Sequence, residues 1–287
     1  MALYGMNSMK LVAILATYNE ERFVANCVRN LVAQGASIYL IDNESTDATV
    51  RHVRETAGNA LLGVESFPRH GIYSWQPILE RKEQIANRIE ADWLMHVDAD
   101  EIHLPPLGSP TLAHAFQEAE EAGHNAANFA EFTFIPVAES PNHDHGNYLD
   151  TMRWYYPFKS AEMHLMRAWK RQPVDVEFAW SGGHQVRFPG LHVDRRFFRV
   201  KHYMFVSVDQ LVEKYVQRRY DEGEVRNGWH GWRATLRREK ISLPLAYQLR
   251  RTISDDGLDA SDPRTTHYLA DLWQSSRSTA WLGPGTS

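Results

Sequence analysis

The sequence predicts an α/β protein: a doubly wound, mostly parallel sheet, with a mixed lobe and C-terminal helices added to it. Two observations carry this. Short apolar runs alternate with amphipathic helical segments through the first hundred residues, and four such runs joined by helical crossovers are the pattern of a parallel sheet. Beyond residue 105 the alternation gives way to strands mixed with long polar loops.

The elements follow in order. "KLVAILA" (10–16) is a strand, and "EERFVANCVRNLVAQG" (20–35) places Phe23, Val24, Cys27, Val28, Leu31 and Val32 on one helical face, with Gly35 as the stop. "SIYLI" (37–41) is a second strand, Asp47 caps a helix that Gly58 ends, and "ALLGV" (60–64) is a third strand. "PILERKEQIANRIEA" repeats isoleucine at helical spacing, and "DWLMHV" (92–97) is the fourth strand. Ser109 and Pro110 open a helix over 109–123. Strands are then expected at 128–137, 161–170, 184–188 and 196–205, followed by one helix over 208–223, capped by Ser207 with Gln210. The domain reading is consecutive: 1–105 an α/β half, 106–222 a lobe completing it, and 223–287 a helical extension whose Ser-, Thr-, Gly- and Pro-rich tail after Ser275 is expected to be poorly ordered.

Composition limits the function classes. With 31 Lys+Arg against 36 Asp+Glu, the net charge of -5 gives no broad basic field for nucleic acid. The single cysteine, Cys27, allows no internal disulfide or thiolate zinc cluster, which suits a reducing compartment and makes the cytoplasm the default. No apolar run reaches the roughly 18 residues of a membrane span, which leaves peripheral association as the only membrane contact expected. There is no internal repeat.

Ligands of doubly wound sheets sit beyond the carboxyl ends of the strands, at the switch in strand order. Three polar segments fall there: "TYNEE" (17–21), "DNESTD" (42–47) and "DADE" (98–101). The first lacks glycine, which removes the dinucleotide fingerprint, and no P-loop pattern appears. The third is a concentration of charge. Like charges 4 Å apart repel by about 4 kcal/mol at an effective dielectric near 20, so Asp98, Asp100 and Glu101 call for a cation, a shared proton or open water.

Taken together, "ILATYNEERF", "LIDNESTDAT" and "WLMHVDADEI", each following one of the predicted strands, resemble family 2 glycosyltransferases of the GT-A fold. The closest likeness is to a bacterial subgroup with an Asp-x-Asp-Glu motif followed by "GGHQVRF" and "KHYMFVSVDQLVEK". The resemblance spans roughly residues 10–220. It implies inverting transfer of a sugar from a nucleotide diphosphate sugar to a hydroxyl of a carbohydrate or glycolipid acceptor, with Mn²⁺ or Mg²⁺.

By resemblance Asp98 faces ribose or metal, and Asp100, on a mostly solvent-facing loop, is the principal metal ligand. Glu101 binds the ion or braces the loop, Tyr18 borders base and ribose, and Asp42 accepts from one of them. Asn43 stands where the family has a second acid. Arg81, with Lys82, is placed to approach the diphosphate, and Lys214 to reach a phosphate. His202 matches a late histidine of the metal shell, with His184 as the next candidate. Asp144 is the nominal catalytic base among Glu139, Glu162, Asp175 and Glu177, and one or two tryptophans of the second half are expected to touch acceptor. Two histidines in "NHDHG" lack a third zinc ligand and read as solvated. The alternatives are a nucleotidyltransferase, against which the acidic "TYNEER" speaks, and a non-catalytic nucleotide- or sugar-binding module.

Overall fold

The computed structural model describes residues 9–145, 147–160 and 164–271. The chain forms two compact units built from interleaved segments, one of 1–68, 76–130 and 164–200 and one of 69–75, 131–163 and 201–287. The sequence reading instead cuts the chain into consecutive blocks at 105 and 222. Interleaving of this kind leaves no local signal in a sequence.

The first unit holds the expected parallel sheet. Strands β1 (Leu11–Thr17), β2 (Ala36–Asp42), β3 (Leu61–Ser66) and β4 (Trp93–Val97) lie in the order β4-β1-β2-β3, all in parallel. Their crossovers are α1 (Val24–Ala33), α2 (Thr49–Ala57) and α3 (Trp75–Ala86). Because β1 lies between β2 and β4, the order reverses beside it, and the crevice between the ends of β1 and β4 is the switch point.

A short strand β5 (Glu101–Leu104) and helix α4 (Leu112–Glu121) follow. Thr111, rather than Ser109, is the N-cap of α4, because its hydroxyl accepts from His114 N at 3.2 Å while Ser109 donates to Glu118 at 2.7 Å. Asp47 likewise sits one residue ahead of the α2 N-cap and accepts from Thr49 N at 2.9 Å. The core packs Leu11, Val28, Leu40, Trp93 and Met95 with Phe116 and Phe198. Phe116 stacks on Trp93 at 4.7 Å and on Phe198 at 4.9 Å, contacts worth about 0.5–1.5 kcal/mol each beyond their burial.

Two later expectations change. The strand expected at 161–170 is β8 (Ala168–Lys170), antiparallel to β4, and residues 161–163 lie outside the described residues. The strand expected at 184–188 is replaced by turns and a single bridge, Glu177 to Arg187, where Gly182 and Gly183 both take positive φ. Long strands do form at β6 (Ala126–Phe134) and β9 (Val193–Tyr203).

In the second unit, Glu131–Phe134 of β6 pairs antiparallel with β7 (Trp154–Phe158), which follows a single helical turn, α5 (Tyr148–Thr151). The predicted helix over 208–223 breaks up. Ser207 caps α6 (Val208–Leu211), accepting from Gln210 N, but the helix widens into a π-helical turn at Val212–Val216, and a separate α7 (Glu222–Arg226) follows. Asp221, whose carboxylate accepts from Glu224 N at 2.9 Å, starts this last helix afresh. A two-residue strand, β10 (Arg250–Arg251), pairs with β7. This unit has its own core around Tyr156, Phe205, Leu211 and Tyr215.

Candidate active site

The loops after β1 and β2 are laced together beside the switch point. Asn19 takes φ 53°, which lets its backbone N donate to Ser45 Oγ at 3.0 Å while its side-chain carbonyl accepts from Thr46 N at 2.8 Å. Glu20 N donates to Thr49 Oγ1 at 2.8 Å, and Glu21 accepts from Ala48 N at 3.0 Å. The acidic "TYNEE" loop therefore spends Glu21 on the N-terminus of α2, where a carboxylate is favoured by the helix dipole. Tyr18 and Asp42 are half-buried at this edge, Asp42 accepting from Ser45 N at 3.3 Å.

Asn43 is buried and structural in its contacts. Its backbone N donates to Thr17 O at 2.8 Å and its side-chain amide to Phe67 O at 2.9 Å, tying together the ends of β1, β2 and β3. A carboxylate cannot donate to a carbonyl, which gives a physical reason for the amide at this position.

The acid loop after β4 is more occupied than the sequence suggests. Asp98 is the exposed acid, with 43% of its side chain open, whereas Asp100 is 7% exposed and Glu101 is fully buried. The expectation of a solvent-facing Asp100 is thus corrected: in this tight loop the side chain that opens outward is that of Asp98.

Protein cations already face the cluster. Lys82 Nζ donates to Val97 O at 2.8 Å and to His96 Nδ1 at 2.9 Å, and lies 3.6 Å from Asp98 Oδ1. Burial pushes its pKa down from 10.5 to about 8, against the pull of Asp98. Arg167 Nη2 reaches Glu101 Oε1 at 2.6 Å and Asp98 Oδ2 at 3.4 Å.

Two histidines complete this buried layer, and burial holds both in the neutral state. His96 lies well below its ordinary pKa, with Lys82 and Arg167 adding to the effect of burial, and His103, 3.4 Å from Glu101 Oε2, is pushed down to about 3. Since Lys82 donates to Nδ1 of His96, the ring proton sits on Nε2. Gly183 closes over that nitrogen, and a Cβ there would stand 2.5 Å from it. His184 belongs to the same unit, and its positive form would depress His96 further.

Of the adjacent cations expected at the diphosphate, only Lys82 is directed at this loop. Arg81 turns to Glu65, donating through Nε at 2.8 Å and Nη2 at 2.7 Å, because successive residues on α3 point to different sides.

The remaining candidates belong to the second unit, apart from Asp175 and Glu177. His202 Nδ1 lies 2.8 Å from Glu131 Oε1, an oxygen that also accepts from Thr133 Oγ1 at 2.9 Å. Lys214 sits in the π-helical turn with its ammonium 5.8 Å from the centre of the Tyr215 ring. Asp144 is exposed, its backbone N on Asn142 Oδ1 at 2.8 Å. Glu139 accepts from Ala246 N at 3.0 Å, Glu177 is paired with Arg187, and Glu162 lies outside the described residues.

His143 is not solvated as the sequence reading has it. It is buried, with Nδ1 2.9 Å from Thr151 Oγ1 and Nε2 3.1 Å from Ser140 O, so both ring nitrogens are engaged. Of the tryptophans, Trp169 is core, while Trp180 is half exposed with the Arg187 guanidinium 5.1 Å from its ring centre.

Arg167 is not among the residues that the sequence motifs single out; its signal is a lone arginine between Met166 and Ala168 in an otherwise apolar run, where a charge needs a partner.

Comparison with known proteins places this loop in context. The profile described as "Glycosyl transferase family 2" matches residues 12–175, more than half of the chain and the stretch that contains all three loops. The chain belongs to glycosyl transferase family 2. The GT-A type expected from the sequence stands with it. An uncharacterized glycosyltransferase of Rickettsia typhi is 27% identical over 92 residues, 32% of this chain and 28% of that protein. Among solved structures, Staphylococcus aureus TarS residues 1–349 is 14% identical, covering 68% of this chain and 60% of its own at a TM-score of 0.41. The mannosyltransferase PcManGT of Pyrobaculum calidifontis, solved with GDP-Man and Mn²⁺, is 17% identical, covering 58% and 46% at 0.35. The chain thus spans under a third of the rickettsial relative and about three fifths of the TarS chain.

The family implies a divalent ion, and the residues present suit a particular kind of site. Among the described residues no group of three or more His, Cys, Asp or Glu is arranged to hold a metal by itself. Mg²⁺ and related hard ions are, however, commonly held by one or two carboxylates, with substrate phosphates and water supplying the rest. Asp98 and Asp100 meet that smaller requirement in chemistry and number.

Proposed function

We propose that this family 2 protein is an inverting glycosyltransferase that moves a sugar from a nucleotide diphosphate donor to an acceptor hydroxyl. The observation that carries the reading is the acid loop at the switch point: one exposed carboxylate, Asp98, presented at the end of β4 with its rear flanked by the buried cations Lys82 and Arg167. Loops in this position bind ligands in open α/β sheets. A cluster of acids so close to a di- or trianionic donor is chemically sensible only if positive charge is present as well.

Asp98 and Asp100 would hold Mn²⁺ or Mg²⁺ together with the donor diphosphate. A divalent ion there acts as a Lewis acid, worth several kcal/mol against the charge that develops on the departing diphosphate. The chain's own groups bind and orient the donor. Tyr18 borders base and ribose, Asp42 accepts from one of them, and Lys82 keeps the Asp98 carboxylate in place.

In the second unit, His202 is retained as a candidate metal ligand, Lys214 as a phosphate contact and Asp144 as the base that takes the proton of the acceptor hydroxyl. These roles rest on the family resemblance. The acceptor is a carbohydrate or a glycolipid, and the working compartment is the cytoplasm, with peripheral membrane contact admitted. No described helix is long and apolar enough to cross a membrane.

Calorimetry with UDP, TDP and GDP, with Mn²⁺ and with EDTA, tests the reading. A ligand at 100 times its Kd stabilises the folded state by about 2.7 kcal/mol, so a melting panel gives the same information. The expected result is binding of at least one nucleotide that depends on metal and is lost in Asp98→Asn. Equal affinity with Mn²⁺ and with EDTA would remove the metal role from Asp98 and Asp100.

A further inference from the structure

We propose that Arg167 is a positioning residue for sugar transfer: locked onto Glu101, it fixes the backbone and carboxylate of Asp98 from inside the first unit. The inference rests on the reading of Asp98 as the acid that faces metal and diphosphate.

The geometry converges on one residue. Glu101 Oε1 takes the Arg167 guanidinium at 2.6 Å, and its other carboxylate oxygen, Oε2, accepts from Asp98 N at 3.2 Å. Glu101 N in turn donates to Asp98 O at 3.2 Å, which closes the loop into a reciprocal turn. The same Arg167 Nη2 lies 3.4 Å from Asp98 Oδ2. Asp98 is thus held at its amide, at its carbonyl and at its carboxylate by a single buried pair.

Arg167 is itself anchored to the strand that carries the loop. Its carbonyl accepts from His96 N at 2.9 Å, two residues before Asp98, so the origin of the guanidinium is fixed relative to the acid it serves. Both members of the pair are buried.

Stability alone gives little reason for such a pair. A buried ion pair is often no better for the fold than well-packed apolar side chains. Here Glu101 bonds to the amide of Asp98 through Oε2 and to its carbonyl through its own N, and Arg167 lies beside the Asp98 carboxylate and is tied by its carbonyl to the strand that carries the loop. Arg167 also neutralises Glu101, which would otherwise repel Asp98 and Asp100. The fourth letter of "DADE" is accordingly a brace that leaves ion binding to the other two acids.

The probe is the Mn²⁺ complex of whichever of UDP, TDP and GDP binds the wild type best. Its capture by the full chain is followed through water-proton relaxation, with melting temperature measured alongside. Wild type should bind, and Asp98→Asn should bind at least tenfold more weakly. The neutral double variant Arg167→Met/Glu101→Gln should also lose about tenfold while keeping its melting temperature, and Arg167→Lys should fall between.

If Asp98→Asn is weakened but Arg167→Met/Glu101→Gln binds like wild type, the role of Arg167 is overturned and the metal reading stands. If Asp98→Asn binds like wild type, or wild type captures none of the three complexes, the metal reading fails and this proposal falls with it. Should the double variant not fold, Arg167→Lys decides. An unchanged melting temperature with affinity at least threefold lower supports positioning, and wild-type affinity overturns it.

Discussion

Replacing Lys82 by methionine separates stability from function at this site. The side chain is 1% exposed, and its pKa is lowered from 10.5 to about 8, chiefly by burial. At about 1.36 kcal/mol per unit, holding the charged ammonium there costs the fold about 3 kcal/mol at neutral pH. Methionine removes that cost at similar volume. It also leaves Val97 O and His96 Nδ1 without their donor, at about 1–3 kcal/mol for each buried group. The terms offset in part, leaving between about 1 kcal/mol of gain and about 3 kcal/mol of loss, so Lys82→Met should melt no more than about 12 °C below wild type, given about 2–4 °C per kcal/mol.

Function should not be spared in the same way. Asp98 loses the cation 3.6 Å from Oδ1, and the acid is partly screened by solvent, so a fall of about tenfold in kcat/KM is expected, equivalent to about 1.4 kcal/mol.

The pH dependence provides an internal control. Below pH 8 Lys82 is charged in both the folded and the unfolded chain, and the burial cost is fully present. Between about 8 and 10.5 the folded chain releases a proton that the unfolded chain keeps, so stability rises with pH over that window, and Lys82→Met abolishes the rise. Denaturant melts at pH 7, 8.5 and 10, with steady-state transfer at pH 7, make up the assay. A variant that melts more than about 15 °C below wild type, or one that transfers sugar at the wild-type rate, would refute the reasoning.

Two further substitutions test what the loops depend on. Asn43→Asp exchanges the amide donated to Phe67 O for a carboxylate facing a carbonyl, and should destabilise by about 1–3 kcal/mol in denaturant melts, more at pH 7 than at pH 3.5, where the acid can protonate. Gly183→Ala puts a methyl 2.5 Å from His96 Nε2 at φ +82°, and should lower stability by about 1–3 kcal/mol; an alanine variant as stable as wild type would show that the "GGH" turn does not press on the buried layer.

What the sequence determined by itself is the first unit and the placing of its loops. Strands β1 to β4 were legible because each is a short apolar run beside an amphipathic helix, and both periodicities are local properties of a dozen residues or fewer. The three polar segments were legible for the same reason, since a parallel sheet sends every strand end to the same edge. Tertiary structure alone decided which charges meet. Nothing in the spacing of Arg81 and Lys82 says that the first turns to Glu65 and the second is buried behind Asp98, because that depends on which side of α3 faces the sheet.

Arg167 stands 66 residues beyond Glu101 in sequence and reaches it only because β8 pairs antiparallel with β4. The same holds for the exposure of Asp98 over Asp100, set by a turn whose closing bonds come from Glu101. The helix expected over 208–223 is broken by a π-helical turn and a fresh cap at Asp221, where backbone hydrogen bonding overrode an otherwise continuous amphipathic pattern. Local pattern fixes the elements, whereas charge pairing in a low-dielectric interior depends on distances of a few ångströms between residues far apart in the chain, and folding alone sets those distances.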